Sequence, residues 1–190
     1  MKIIFLILLS LKLIYSGEER GHKSTFNIEI YKDKNIVKIH TFNSDGLDFI
    51  MEADSDYHLL YLLKKDKGKE RLVVKWNGQG YAIRFFGITR KMRTAEPMVD
   101  RHILPYWLQE QIRSGKIPDK IELLVPELGP VPVVFEEEKG QDTLKITMII
   151  DGIAGKIFRK KFFFYYNKEG LLVRYADSSG RSLVLQRIEN

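Results

Sequence analysis

Short apolar stretches recur along the chain about every ten residues, and turn-forming residues separate most of them. They are rich in β-branched and aromatic side chains, which favour strands. Six stretches precede residue 90 and six follow residue 119, at residues 26–31, 35–42, 47–53, 57–65, 70–76 and 81–86, and then 120–126, 131–138, 143–151, 155–166, 171–176 and 182–188. This spacing predicts an antiparallel meander rather than βαβ units.

One segment in the middle of the chain has helical periodicity instead. Within "EPMVDRHILPYWLQEQIRSG", the apolar residues that share one face at helical spacing are Val99, Ile103, Tyr106, Trp107 and Ile112. Proline fits the first turn of a helix but not its interior, and glycine commonly follows the last turn. Pro105 and Gly115 therefore predict a helix near residues 104–114.

The stretch "KKFFFYYNKEG" contains five consecutive aromatic residues, 162–166. Because a strand alternates its faces, three of these rings point one way and two point the other, so both faces are apolar. One face of an antiparallel sheet usually meets water, and the second apolar face therefore needs a cover. We predict a mainly β fold, a curved antiparallel meander or half-barrel of about 11–12 strands around one central helix. A β-sandwich is the alternative.

The N-terminal residues have the layout of a secretory signal peptide. Lys2 precedes an apolar run over residues 3–11, and a polar segment follows Ser16. The run is shorter than the roughly 20 apolar residues that span a bilayer, so no permanent transmembrane segment is predicted. The sequence predicts a signal peptide over residues 1–16 and a single β-rich domain over residues 17–190. The absence of cysteine excludes disulfides and lipid attachment through a cysteine.

Basic and acidic residues are interleaved along the chain, with 31 Lys and Arg against 25 Asp and Glu and a formal net charge of +6. Nucleic-acid binding usually needs a basic stripe or a known motif, so the composition argues against it. Three short basic clusters, at residues 64–65, 90–93 and 159–161, either attract anionic head groups or an acidic partner, or are solvated strand ends.

Patterns that indicate catalysis or metal binding are nearly absent. The sequence contains no G-x-S-x-G nucleophile motif, no phosphate-binding glycine loop and no cysteine nucleophile, so we predict no enzymatic activity, no catalytic residue and no cofactor. His40 and His58 lie in predicted strands and could meet across the sheet with Asp54 or Asp56. Lone strand histidines are mostly solvent-facing or hydrogen-bonded, so no metal site is predicted.

Three segments carry a resemblance to a known group of proteins: "VDRHILPYWLQEQIRSG", "IELLVPE" and "FYYNKEGLLVRYADSSGRSLVLQRI". Together with the signal-like N-terminus and the meander, they resemble a family of uncharacterised bacterial periplasmic proteins, which is similar in turn to the half-barrels of lipoprotein carriers (LolA-like). The resemblance covers most of residues 25–188 and includes no catalytic signature. It implies an exported protein, periplasmic or secreted, whose sheet and helix enclose an apolar cavity able to hold acyl chains.

Two functions are consistent with these observations. The first is a non-enzymatic protein that binds a lipid or another apolar ligand, with Trp107 and Leu108 acting as a lid and Phe162, Phe164 and Tyr166 lining the interior. The second is a structural or protein-interaction module of the cell envelope. In that case the apolar second face is ordinary core, and an edge strand or a basic cluster recruits an envelope protein partner.

Overall fold

The computed structural model of the chain describes residues 9–152, 155 and 160–189. These residues form one antiparallel sheet with a helix, α1 (Leu104–Ser114), between its eighth and ninth strands. The strands are β1 (Leu9–Glu19), β2 (His22–Asp33), β3 (Ile36–Asn43), β4 (Leu47–Asp54), β5 (Leu59–Asp66), β6 (Lys69–Trp76), β7 (Gly80–Phe85), β8 (Ile88–Arg93), β9 (Lys120–Val125), β10 (Gly129–Lys139), β11 (Thr143–Ile150), β12 (Lys161–Asn167), β13 (Leu172–Asp177) and β14 (Arg181–Glu189).

The order of strands in the sheet places the first and last strands side by side at its centre. From one edge to the other the order is β8 back to β1, then β14 back to β9. Leu13 of β1 lies opposite Ile28 of β2 on one side and opposite Ile188 of β14 on the other. The two edges of the sheet are therefore β8 and β9, the strands that flank α1 in the chain.

One face of the sheet carries most of the buried side chains and wraps around α1. In β4, for example, Phe49, Met51 and Ala53 are buried, whereas the residues between them are partly exposed. Buried residues of α1 belong to the same core cluster as those of the strands. The prediction of a curved sheet around a helix is confirmed, and the sandwich alternative is wrong, because all 14 strands share one sheet.

Helix α1 begins and ends at the residues that predicted its bounds, Pro105 and Gly115. Pro105 lies in the first turn, where its missing N–H is not needed. Gly115 adopts φ 66°, and its backbone N–H donates to the carbonyl of Ile112 at 3.1 Å. This left-handed conformation is accessible to glycine at little cost, so the helix ends here.

The predicted number of strands, about 11–12, is too low. The sequence reading missed β8 because "ITRKMR" has no apolar alternation, and five of its six residues are exposed at the sheet edge. It also missed β1, whose residues it had largely assigned to a signal peptide. The strand predicted over residues 155–166 begins only at Lys161; Gly155 is helical, and residues 156–159 lie outside the described residues.

The predicted signal peptide overlaps β1. Residues 1–8 lie outside the described residues, and residues 9–16 form the first part of the strand. Leu13 and Tyr15 are only 1% exposed, and the Tyr15 hydroxyl donates to the carbonyl of Leu172 at 2.8 Å. Cleavage after Ser16 would remove these contacts from the middle of the sheet. The signal peptide and its cleavage stay predictions. Over the described part of the chain, no helix is long and apolar enough to span a bilayer.

Candidate functional site

Four of the five residues predicted to bind an apolar ligand are buried in the core. Leu108 and Tyr166 are fully enclosed, Trp107 and Phe164 are nearly so, and Phe162 is half-buried. The Tyr166 hydroxyl donates to the carbonyl of Pro105 at 2.9 Å, which ties β12 to the start of α1, and burial raises the pKa of this tyrosine far above its usual value. The structure thus brings β12 against the helix.

Trp107 faces a different strand. Its ring centroid lies 6.2 Å from that of Phe135 on β10, and Phe164 instead stacks against Tyr175 of β13 at 5.4 Å. Trp107 and Phe164 therefore have different aromatic neighbours.

The two β12 rings on the convex face are covered by long cationic side chains. Lys145 of β11 places its ammonium 5.8 Å from the centroid of Phe163, and the guanidinium of Arg174 on β13 lies 5.3 Å from that of Tyr165. Such contacts shield aromatic faces while the charge stays in water. This explains how one strand is apolar on both faces without a second sheet. The cover comes from basic side chains of the neighbouring strands β11 and β13, a role that the sequence did not indicate.

A shallow groove of about 350 Å³ lies beside Trp107. Its walls are formed by Trp107, residues 94–99, His58, Ile121 and Glu122. Leu108 and the three β12 aromatic residues do not line it. Of the predicted ligand-binding residues, only Trp107 therefore meets this groove.

The turn between β4 and β5 brings Asp54, Asp56 and His58 together, with one ligand atom from each lying within 4.8 Å of the others. His58 Nδ1 is 3.1 Å from Asp54 Oδ2, while Asp54 Oδ1 accepts the backbone N–H groups of Asp56 and His58 at 2.9 Å each. His40 is not part of this cluster and contacts Asp48 instead, at 2.8 Å. His40 therefore does not join His58 in this cluster, and the bonds of Asp54 primarily close the turn.

The segment that leads into α1 pairs a buried acid with a partly buried histidine. Asp100 is fully buried, and its Oδ1 accepts the His102 backbone N–H and lies 2.7 Å from His102 Nδ1. Among the described residues, no hydroxyl hydrogen-bonds this imidazole. The centroids of the His102 and Phe49 rings lie 5.0 Å apart. The Lys64 ammonium lies 4.9 Å from the centroid of the Phe49 ring. Burial, followed by the charge of Arg101, lowers the pKa of Lys64.

Three exposed apolar side chains lie at one corner of the molecule, which sequence reasoning did not identify. Phe86 and Ile88, in and next to the β7–β8 turn, are 60% and 76% exposed, and Leu128 in the β9–β10 turn is 67% exposed. The two turns lie at the same end of the sheet, because alternate hairpin turns of a meander share an end. We call these three residues the seam corner, because they flank the gap between the sheet edges.

Contacts across the gap hold the two turns near each other. The Arg90 guanidinium of β8 donates to the carbonyl of Pro126, and Met92 Sδ lies 3.9 Å from the point where a Cβ on Gly129 would be. Leu128 lies between Pro126 and Gly129 in the chain. The exposed apolar residues of both turns therefore lie at the same end of the sheet, on either side of the gap.

Phe86 has an unusual backbone for its residue type. Its φ is 47°, and the next residue, Gly87, has φ 83°. Two positive φ values in succession are typical of a tight hairpin turn that favours asparagine or glycine, and a bulky side chain there is strained. The Phe86 ring stands 4.5 Å from that of Phe85 and 5.4 Å from the Arg71 guanidinium, yet most of it faces solvent.

Comparison with known proteins supports the fold and does not extend to function. No protein family matches the chain, and no curated protein matches it. The crystal structure of a beta-barrel-like protein of a domain of unknown function (DUF1849) from Brucella abortus is similar, with a TM-score of 0.65 at 9% identity over 96% of this chain and 98% of that one. At this identity the likeness shows the fold alone, an open curved antiparallel sheet related to a β-barrel-like domain.

Proposed function

We propose that this protein is a non-enzymatic binding module of the bacterial cell envelope. The curved sheet and α1 act as a rigid scaffold, and the seam corner is the binding surface. The observation that supports this most directly is the exposure of Phe86, Ile88 and Leu128 on adjacent turns, since clustered exposed apolar side chains usually mark an interaction site.

The interior favours a scaffold over a carrier of large cargo. Leu108 and Tyr166 are fully buried by protein atoms around α1, and the groove beside Trp107 is shallow and partly lined by polar groups. Asp100 is buried and His102 partly buried, and among the described residues no hydroxyl hydrogen-bonds the imidazole of this pair. A binding role therefore fits the geometry better than catalysis.

Site-specific crosslinking tests the proposal. Because the natural chain has no cysteine, a Phe86→Cys variant can carry a benzophenone at one known position. A Val184→Cys variant is the matched control, since Val184 is also an exposed apolar residue, 41% accessible, but lies on β14. Light-induced adducts with envelope fractions from position 86 and not from position 184 would support the proposal. Equal labelling at both positions, or none at position 86, would contradict it.

A second candidate function is the binding of a small apolar or amphiphilic ligand in the groove beside Trp107. Met98, Ile121 and the indole supply apolar walls, and His58 and Glu122 supply polar groups. This is a reduced form of the predicted lipid cavity. Native mass spectrometry with organic extraction, on the full chain purified without detergent, tests it. A stoichiometric co-purifying lipid that is lost on Trp107→Ala would support this function, and a mass that stays free of lipid after incubation with lipid would exclude it.

Export to the periplasm is part of the proposal. Export is inferred from the N-terminal pattern, and the periplasm from the resemblance to periplasmic proteins. Cell fractionation with N-terminal sequencing of the mature chain tests it. A periplasmic chain is expected, and a cytoplasmic one would contradict it.

A further inference from the structure

We propose that the seam corner binds the surface of an anionic phospholipid bilayer, with Phe86, Ile88 and Leu128 entering the interface and the basic residues of β8 contacting the head groups. This inference rests on the proposed function, because it names the partner of the same surface. It follows from the shape, the charge and the strain of the corner.

The shape of the corner suits a bilayer. The apolar side chains stand at the tips of two separate turns, at the end of the sheet where the β5–β6 turn also lies. The groove beside Trp107 is lined by other residues. Apolar side chains on exposed turn tips suit the soft, flat interface of a membrane, where peripheral proteins bury apolar residues about 5–10 Å deep.

The charge next to these tips is positive. Arg90, Lys91 and Arg93 are exposed on β8, and within the described part of the chain none of them forms an ion pair. The neighbouring β5–β6 turn adds the exposed Lys67 and Lys69. Three acidic groups near this region pair with other cations, Glu70 with Arg84, Asp66 with Arg71 and Glu127 with Arg101.

The distances along β8 predict how much each cation contributes to membrane binding. At about 3.3 Å per residue, Lys91 lies roughly 10 Å from Ile88 and Arg93 roughly 17 Å from it. If Ile88 enters the interface, Lys91 lies at head-group depth, whereas Arg93 is about one Debye length farther away. Lys91 should therefore matter more than Arg93.

Strain at Phe86 is a further indication of function. A phenylalanine at φ 47° and 60% exposed is unfavourable for folding on two counts, since asparagine or glycine would suit the turn better and would expose less apolar surface. A binding role accounts for this residue. It also predicts that Phe86→Asn raises the thermal midpoint of the protein while it weakens membrane binding, an outcome that a structural role would not produce.

Vesicle co-sedimentation of the full chain tests the inference, with phosphatidylglycerol vesicles against phosphatidylcholine vesicles. The wild-type chain should bind the anionic vesicles only, and less at high salt. Serine at all three seam-corner positions should weaken binding about thirtyfold or more. Lys91→Gln should cost about fivefold and Arg93→Gln clearly less. The matched control, Val184→Ser with Ile188→Ser, changes the two exposed apolar residues of β14 and should leave binding unchanged.

Several outcomes would overturn the inference. These are no binding of the wild-type chain to anionic vesicles, binding that is equal for both lipids, or a triple variant that binds like the wild type. If crosslinking from position 86 yields a protein adduct while vesicles do not bind, the bilayer inference fails and the proposed function stands. If neither assay gives a signal at position 86, both fail.

Discussion

The concave face around α1 and the seam corner use similar side chains in opposite ways. Around α1, leucines and tyrosines are buried, and the hydroxyls of Tyr15, Tyr81 and Tyr166 each donate to a backbone carbonyl at 2.8–2.9 Å. At the corner, Phe86, Ile88 and Leu128 are left mostly in water. The difference separates two roles, because the buried tyrosines stabilise the fold through burial and hydrogen bonds, whereas side chains that stay exposed contribute little to its stability.

Replacement of a buried residue in β1 should have the largest effect on stability. Tyr15→Ala removes a ring that is 1% exposed together with its hydrogen bond to Leu172, and it should lower the free energy of unfolding by about 3–5 kcal/mol. Ser16→Ala, at the next and exposed position, is the control and should change it by less than about 0.5 kcal/mol. Chemical denaturation of both variants measures this.

The same pair of variants also bears on the predicted signal peptide. If Tyr15→Ala leaves the stability of the exported, mature protein unchanged, residues 1–16 are not part of its fold. In that case the role assigned to β1 is wrong.

Two leucines compare the core with the corner directly. Leu108→Ala should cost about 2–5 kcal/mol because it leaves a cavity under α1. Leu128→Ala should cost less than about 0.5 kcal/mol, since that side chain is exposed. Thermal and urea unfolding report both values. Similar costs for the two variants would contradict the distinction between a structural core and a functional corner.

Two adjacent tyrosines of β12 make a finer test of the core. Tyr166→Phe removes the hydrogen bond to the Pro105 carbonyl inside the protein and should cost about 1–2 kcal/mol. Tyr165→Phe, on the convex face beneath Arg174, should have almost no effect. If the second variant is as destabilising as the first, the assignment of faces along β12 is wrong.

The smallest expected effect on stability comes from Glu110, near the end of α1. Glu110 Oε1 lies 2.7 Å from Lys32 Nζ and 3.1 Å from the Arg113 guanidinium. Burial alone would raise the pKa of Glu110, but the hydrogen bond from Lys32 and the nearby charges hold it below its usual value. A lowered folded pKa stabilises the protein above the unfolded pKa, about 4.3, and this contribution is lost as the pH falls below it.

Glu110→Gln should therefore cost about 0.5 kcal/mol near pH 7, because the pair is partly solvated. It should also flatten the loss of stability between about pH 5 and pH 3. Glu136→Gln, an exposed position on β10, is the control and should leave the pH profile unchanged. A steeper profile in Glu110→Gln would contradict the assignment.

The parts of the fold that the sequence predicted are those marked by local chemistry. Pro105 and Gly115 bound α1 because proline and glycine act through their own backbone geometry. The strand β8 could not be predicted in this way, since an edge strand that buries little needs no apolar alternation. An apolar run such as residues 3–11 suits both a signal peptide and a buried strand, so composition alone does not distinguish them.

The seam corner could not be predicted from sequence because its parts are distant in the chain. Phe86 and Leu128 are 42 positions apart and come together only when the sheet curves enough to bring its two edges close. The one local signal was Phe86 before Gly87 in a hairpin turn, an unusual residue for that position. The sequence indicates the basic cluster at residues 90–93, but it does not indicate that the apolar side chains next to it are exposed.

Fluorescence from single labelled cysteines tests the central claim most directly. A polarity-sensitive dye attached at Ile88→Cys or at Val184→Cys, in a chain with no other cysteine, is followed during titration with anionic vesicles. The emission at position 88 should shift to the blue and become accessible to a quencher in the lipid tails, while the emission at position 184 stays constant. Constant emission at position 88, or equal shifts at both positions, would contradict the claim that the seam corner is the binding surface.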